Sequence, residues 1–243
     1  MKNLRLLLLL IVLFPIINRA QEKQLVLDYT LTNCNTLKAK ATIFKQGQLD
    51  TVFGQRPLHP EGAIPGVPME VREEDMRYET YHILLFKEYP TKTLKHHVSL
   101  KKDIDMVLQQ KMDLFDWKIT FEKETILGLQ CQQAKAHYKG RDYTAYFTTK
   151  LNFKGGPWKF HGLPGVILKV GSDDGHYFFE ATAYRIVSTN KKIKDPFADT
   201  KTVDWEWYYN KSVQIIDVKS AKYKRKIQYS CNGDIEKFPF SYW

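Results

Sequence analysis

Four positions carry the side chains from which a reactive or anion-binding site would be assembled. His161 sits inside the run Gly155-Gly156-Pro157-Trp158-Lys159-Phe160-His161-Gly162-Leu163-Pro164-Gly165, and Asp173 and Asp174 stand in a turn close after it. An imidazole with a carboxylate to orient it is the minimum for general base work, but no activated nucleophile accompanies the pair, so a hydrolase using His161 is the weaker reading. Arg141 follows Gly140, where a guanidinium fork could take a carboxylate or phosphate in bidentate fashion. It could equally pair with Asp142 or another local carboxylate and hold its turn. Trp158 and Phe160, bracketed by Pro157 and Pro164, suit one wall of an apolar pocket, a partner anchor, or a plug in the open end of a sheet. His96 and His97 are adjacent, so they diverge on either a strand or a helix, neither of which favours one shared metal, and both are expected at the surface. The sequence holds no H-E-x-x-H, G-x-S-x-G, Walker or dinucleotide motif, which removes support for the common hydrolases and nucleotide enzymes. Neither a cofactor nor a metal is expected.

The elements that would position these groups are mostly strands. Leu25, Leu27, Tyr29 and Leu31 alternate with polar or smaller neighbours, as do Leu37, Ala39, Ala41 and Ile43, and Lys45-Gln46-Gly47-Gln48 turns into Leu49 to Phe53. This period of two predicts an opening β-meander. Residues 55–68 hold four prolines and two glycines and predict a long mobile loop. Tyr81 to Tyr89 predicts a strand, and Lys101 to Met112, with helix formers and no clean apolar alternation, a short helix. Trp117 to Phe121, Ala134 to Tyr138 and Tyr143 to Phe147 predict further strands, the last two joined by a tight turn at Lys139-Gly140-Arg141-Asp142. Val166 to Val170 and Tyr177 to Ile186 form another hairpin across Asp174-Gly175. Beyond Pro196, Asp199 or Thr200 could cap a helix carrying Trp205, Tyr208 and Tyr209, with a strand from Ser212 to Val218 as the alternative. The aromatic end, Phe238 to Trp243, reads as a tail packed on the core.

Residues 1–20 have the parts of a secretory signal: Lys2 and Arg5, the apolar run Leu6 to Phe14, and Ala20 at a cleavage point. A membrane anchor needs roughly 20 apolar residues, and this run is interrupted at Pro15. No thiol for a lipoprotein anchor lies nearby, and no later run is long enough to span. The expectation is therefore an exported protein, in the periplasm, at the cell surface or secreted, with residues 21–243 as a single domain. The chain carries 37 Lys and Arg against 27 Asp and Glu. This excess suits acidic envelope polymers, and the cluster Lys219, Lys222, Lys224, Arg225 and Lys226 could touch them, although a solvated face explains it as well. Nucleic acid is not an expected partner. Of Cys34, Cys131 and Cys231 at most one pair can close, and all three pairings remain open.

The text from Gly155 to Leu168 resembles the GLPGLI family, whose hexapeptide stands here as Gly162, Leu163, Pro164, Gly165, Val166 and Ile167, with valine for one leucine. Gly156 and Pro157 belong to the same motif. Gly128, Cys131 and Ala134 are similar to the family's Gly-x-x-Cys-x-x-Ala element, and Gly140-Arg141 and Ala145 to Thr148 to its Gly-Arg turn and aromatic strand. Tyr146 replaces a frequent tryptophan, and Leu151-Asn152 the usual Ile-Pro. The likeness covers residues 117–190 best. It implies an exported protein of Bacteroidota and attaches no activity.

Together these readings predict a mainly β (α+β) chain: a curved antiparallel sheet or half-barrel with a few short helices, the glycine-proline loop across one end. Its expected role is non-enzymatic binding of a lipophilic ligand or a protein partner, with Arg141, Trp158, Phe160 and His161 as the binding residues. The alternative is a structural or interaction component of an envelope assembly.

Overall fold

A computed structural model describes residues 21–33, 35–57, 78–101, 104–211 and 214. The expected curved β architecture is what it shows. Two meanders meet along one seam. The first runs β1 (Glu22–Asn33), β2 (Asn35–Phe44), β3 (Gly47–Pro57), β4 (Tyr78–Glu88), β5 (Thr93–Lys101) and β6 (Ile104–Lys111). The second runs β7 (Lys118–Ile126), β8 (Leu129–Tyr138), β9 (Arg141–Thr148), β10 (Val166–Ser172) and β11 (Phe178–Thr189). Strand β11 returns to pair antiparallel with β1, and a two-residue strand, β12 (Thr202–Val203), adds in parallel to the β6 edge. The result is one open sheet in the order β12-β6-β5-β4-β3-β2-β1-β11-β10-β9-β8-β7.

Alternation decides which side chains meet. Leu25, Leu27 and Tyr29 of β1 stand opposite Ile43, Ala41 and Ala39 of β2, and these buried positions open the main core, which continues through Val166, Ile167, Leu168 and Val170. The Tyr29 hydroxyl donates to the Ile167 carbonyl at 2.7 Å and ties the two meanders together from inside. Hairpins β7–β8 and β8–β9 turn on Leu127-Gly128 and Lys139-Gly140, all four residues at positive φ, the two-residue geometry that matches strand twist.

Several expectations are corrected. Lys101 to Met112 is not helical: β6 is a strand with apolar residues on both faces, Leu108 packing with Val98 and Tyr208 while Val107 packs with Phe86 and Phe197. A strand covered on both sides loses the alternation that would have revealed it. The expected loop begins later, because β3 runs to Pro57. Residues 58–77 lie outside the described residues, as do Cys34, Cys231, the basic cluster at 219–226, the possible strand at 212–218 apart from residue 214, and the aromatic tail. The helical turns at 205–211 are capped by Asp204, whose carboxylate accepts from the Trp207 N–H at 2.7 Å, rather than by Asp199 or Thr200. Cys131 is a free, buried thiol whose burial pushes its pKa up to about 11, which makes it inert. Among the described residues no helix is long and apolar enough to cross a membrane.

Gly165 is required by close approach. A Cβ there would stand 2.2 Å from the Thr148 carbonyl oxygen. Within the hexapeptide the positive φ belongs to Gly162, at +100. Gly165→Ala is therefore expected to cost about 3 kcal/mol or more in urea unfolding, against about 1 kcal/mol for Gly175→Ala, where the added methyl meets open space. Equal losses would show that contact with Thr148 is not the constraint.

Candidate functional site

The glycine-proline loop folds back into the sheet's concave side. Its two ends are bonded to each other: the Gly155 N–H donates to the Gly165 carbonyl at 3.2 Å and the Ile167 N–H to the Gly155 carbonyl at 2.8 Å. Between them, Phe160 N–H closes a turn on the Pro157 carbonyl, and the Trp117 indole N–H holds the His161 carbonyl at 2.8 Å. Phe160 is fully buried against Phe115, Tyr143 and Phe179. Trp158 is buried beside His96, with ring centroids 5.8 Å apart, and carries φ +52, a strained value for a bulky residue. Both aromatics therefore fill the interior.

Beneath the loop lies a polar seam that the sequence reading missed. Strand alternation turns Gln48 and Asp50 of β3 and Lys87 of β4 inward, with Gln48 opposite Lys87. The Lys87 ammonium, with no exposed surface, donates to the Gly156 carbonyl at 2.7 Å and lies 3.3 Å from the Asp50 carboxylate. The Gln48 amide donates to the same Gly156 carbonyl at 2.6 Å and to Asp50 at 2.7 Å, and the Tyr89 hydroxyl reaches the Lys154 carbonyl at 2.9 Å. Burial raises the Asp50 pKa to about 6 against the opposing pull of Lys87, and burial lowers that of Lys87. The available signal was in the strands themselves: Lys87 continues the inward series Ile83, Leu85, and Asp50 the series ending at Val52.

His96 is also corrected, being only 1% exposed where a surface position was expected, while His97 is exposed. His161 is buried, its Nδ1 donating to the Lys159 carbonyl at 2.7 Å, and burial lowers its pKa to about 4. Its electrostatic neighbours are Lys87 and Asp113. Arg141 lies elsewhere, on the β8–β9 hairpin, paired with Asp174 at 2.8 Å. Asp174 belongs to the turn between β10 and β11, so the pair ties that turn to the β8–β9 hairpin, and these contacts do not bring Arg141 together with His161. Asp173 takes a hydrogen bond from Thr144 at 2.8 Å.

At the Gly155 end of the loop, a groove of about 1160 Å³ opens where the β2–β3 turn, residues 149–154 and residues 192–194 meet. Ile43, Phe44, Leu151, Phe153, Ile186 and Ile193 supply apolar surface, and Lys23, Lys45, Lys154, Lys192 and Lys194 line it with a single acidic residue, Glu22.

No family model matches the chain, and no curated protein matches it. A solved structure of PNGF-II in space group P21 is similar over 80% of this chain at 15% identity, with a TM-score of 0.54. Another, in space group C2, aligns over 79% at 15% identity with a TM-score of 0.47. The chain spans about a third of the length of PNGF-II, 34% in the first alignment. The likeness at 0.54 is one of fold.

Lys87→Met leaves Asp50 buried beside no cation, and a loss of about 3–5 kcal/mol is expected in chemical unfolding, with part restored in Lys87→Met/Asp50→Asn. A double variant less stable than the single one would contradict the pairing. For pH, the folded Asp50 carboxyl retains a proton that the unfolded chain releases between pH 3.8 and about 6. Wild type should therefore lose about 1–3 kcal/mol relative to Asp50→Asn as pH rises through that window. A flat or rising difference would show that burial does not dominate at this carboxyl.

Proposed function

We propose that this chain is an exported binding protein that holds an anionic amphiphile, an apolar chain with an acidic head, in the groove beside the glycine-proline loop. The observation that carries the reading is the lining itself: aliphatic and aromatic side chains together with five lysines and one glutamate. Apolar surface stabilises the hydrocarbon part by burial, while an excess of positive charge in the lining favours an acidic head and steers its approach. The secretory character of residues 1–20 and the resemblance to the GLPGLI family support an envelope location, in the periplasm or at the cell surface. Catalysis forms no part of this reading, since His161 and Arg141 are engaged in separate local contacts.

A second reading, an interaction component of an envelope assembly, is favoured by one feature. On the edge strand β7, Phe121 is 97% exposed with Ile119 nearby on the same strand, and large apolar side chains on an unpaired edge invite a partner. Crosslinking in the native envelope separates the two readings, because a docking edge yields adducts that Phe121→Ser abolishes.

Titration with parinaric acid, a fluorescent long-chain fatty acid, tests the first. Saturable binding is expected, weakened about tenfold by Lys192→Glu/Lys194→Glu and by raised salt. Fluorescence that never saturates, or that ignores charge reversal, would overturn it.

A further inference from the structure

A second polar centre lies along the same loop, apart from the groove. The inward faces of β5 and β6 bring His96 and Gln110 to diagonal positions, since His96 stands opposite Leu108 and Leu94 opposite Gln110. Trp158 of the loop packs against the His96 ring. Three buried nitrogens here, His96 Nε2, Gln110 Nε2 and Trp158 Nε1, have no hydrogen-bond partner among the described residues. Each such group costs about 1–3 kcal/mol when left unmade, and unpaired nitrogens on a diagonal strand pair and on the ring packed against it call for an occupant.

The adjoining charges have one sign. Lys159 is only 6% exposed, and its ammonium has no carboxylate partner among the described residues. It shares the indole ring of Trp205 with a second ammonium, that of Lys139, the two lying 6.0 and 3.0 Å from the ring centroid. Elsewhere the chain pairs its half-buried or buried lysines, Lys87 with Asp50, Lys95 with Asp195 and Lys169 with Glu124. Here no carboxylate among the described residues pairs with either ammonium. Burial and the neighbouring Lys139 lower the Lys159 pKa to about 7, burial lowers that of Lys139 to about 8, and burial with both lysines, Lys159 the stronger, pushes His96 well down.

The hydrogen-bond inventory narrows the ligand. Trp158 and Gln110 offer N–H donors and the lysines offer ammonium groups. His96 is different: its Nδ1 lies 3.3 Å from the His97 carbonyl, which can only accept, so the proton sits on Nδ1 and Nε2 presents a lone pair. The centre thus combines several donors, positive charge and one acceptor. A carboxylate or sulfate has oxygens for the donors but no hydroxyl for His96, whereas a hydrogen phosphate group has both.

We propose that the centre formed by His96, Gln110, Trp158, Lys159 and Lys139 binds a phosphate group, free or as the end of a phosphomonoester. None of these five residues lines the amphiphile groove, so the two sites stand or fall separately.

Calorimetric titration of the full-length protein with inorganic phosphate, glycerol 3-phosphate and sulfate tests it. Phosphate is expected to saturate one site at least about tenfold more tightly than sulfate, because sulfate leaves the His96 lone pair unmatched. Lys159→Met should weaken phosphate about tenfold or more and melt at or above the wild-type temperature, since it removes a buried unpaired charge. His96→Phe should close the gap between phosphate and sulfate. Glycerol 3-phosphate binding as well as inorganic phosphate assigns a monoester, and its rejection assigns the free anion. No saturable phosphate binding, equal affinity for sulfate, or undiminished binding in a folded Lys159→Met would each overturn the proposal.

Discussion

One carbonyl oxygen, that of Gly156, receives both the buried Lys87 ammonium and the Gln48 amide, and the position of the glycine-proline loop depends on it. A concave sheet cannot fill its own hollow with strand side chains alone, and the loop supplies Trp158, Phe160 and Leu163 to do so. Bringing an irregular backbone indoors exposes it to a penalty, because its polar groups leave water. Lys87, Gln48, Trp117 and Tyr89 answer that penalty at Gly156, His161 and Lys154. Asp50 then balances the charge that Lys87 brings in. An ion pair of this kind contributes little net stability, but it admits one placement of the loop and opposes others.

The same arrangement divides the interior. Strands β1, β2 and β10 present aliphatic and aromatic residues, while the seam through Gln48, Asp50, Lys87, His96 and Gln110 makes the β3 to β6 side polar. The loop crosses from the groove at its Gly155 end to the phosphate centre at Trp158 and Lys159. Its conformation therefore bears on both proposed sites, although they share no lining residue. Aromatic contacts continue the plug toward the second meander, where Phe115 joins Trp117, Tyr138, Tyr143 and Phe160.

Strands with one wetter face were legible in the sequence, β2, β8 and β9 among them, because burial on one side writes a period of two. Strand β6 was not, since Val107 and Leu108 are both covered. The loop was legible as a turn-rich aromatic segment, but its docking was not: Gln48, Asp50 and Lys87 read as ordinary polar positions until neighbouring strands align them. His96 looked like a surface residue because nothing local reveals that a loop more than fifty residues later covers it. The groove draws on segments near residues 22, 44, 89, 151 and 193, and only the folded sheet makes them neighbours. Gly165 was legible only as a member of the hexapeptide, because its close approach to the Thr148 carbonyl exists only once the loop lies against β9.

Native-state hydrogen exchange at three loop amides, Gly155, Phe160 and Ile167, tests the docking most directly. The account predicts that in wild type they open with the same free energy as β1 amides such as Leu27, and that in Lys87→Met they open well before them. Loop amides that already exchange by a separate, low-energy opening in wild type, unchanged by Lys87→Met, would contradict it.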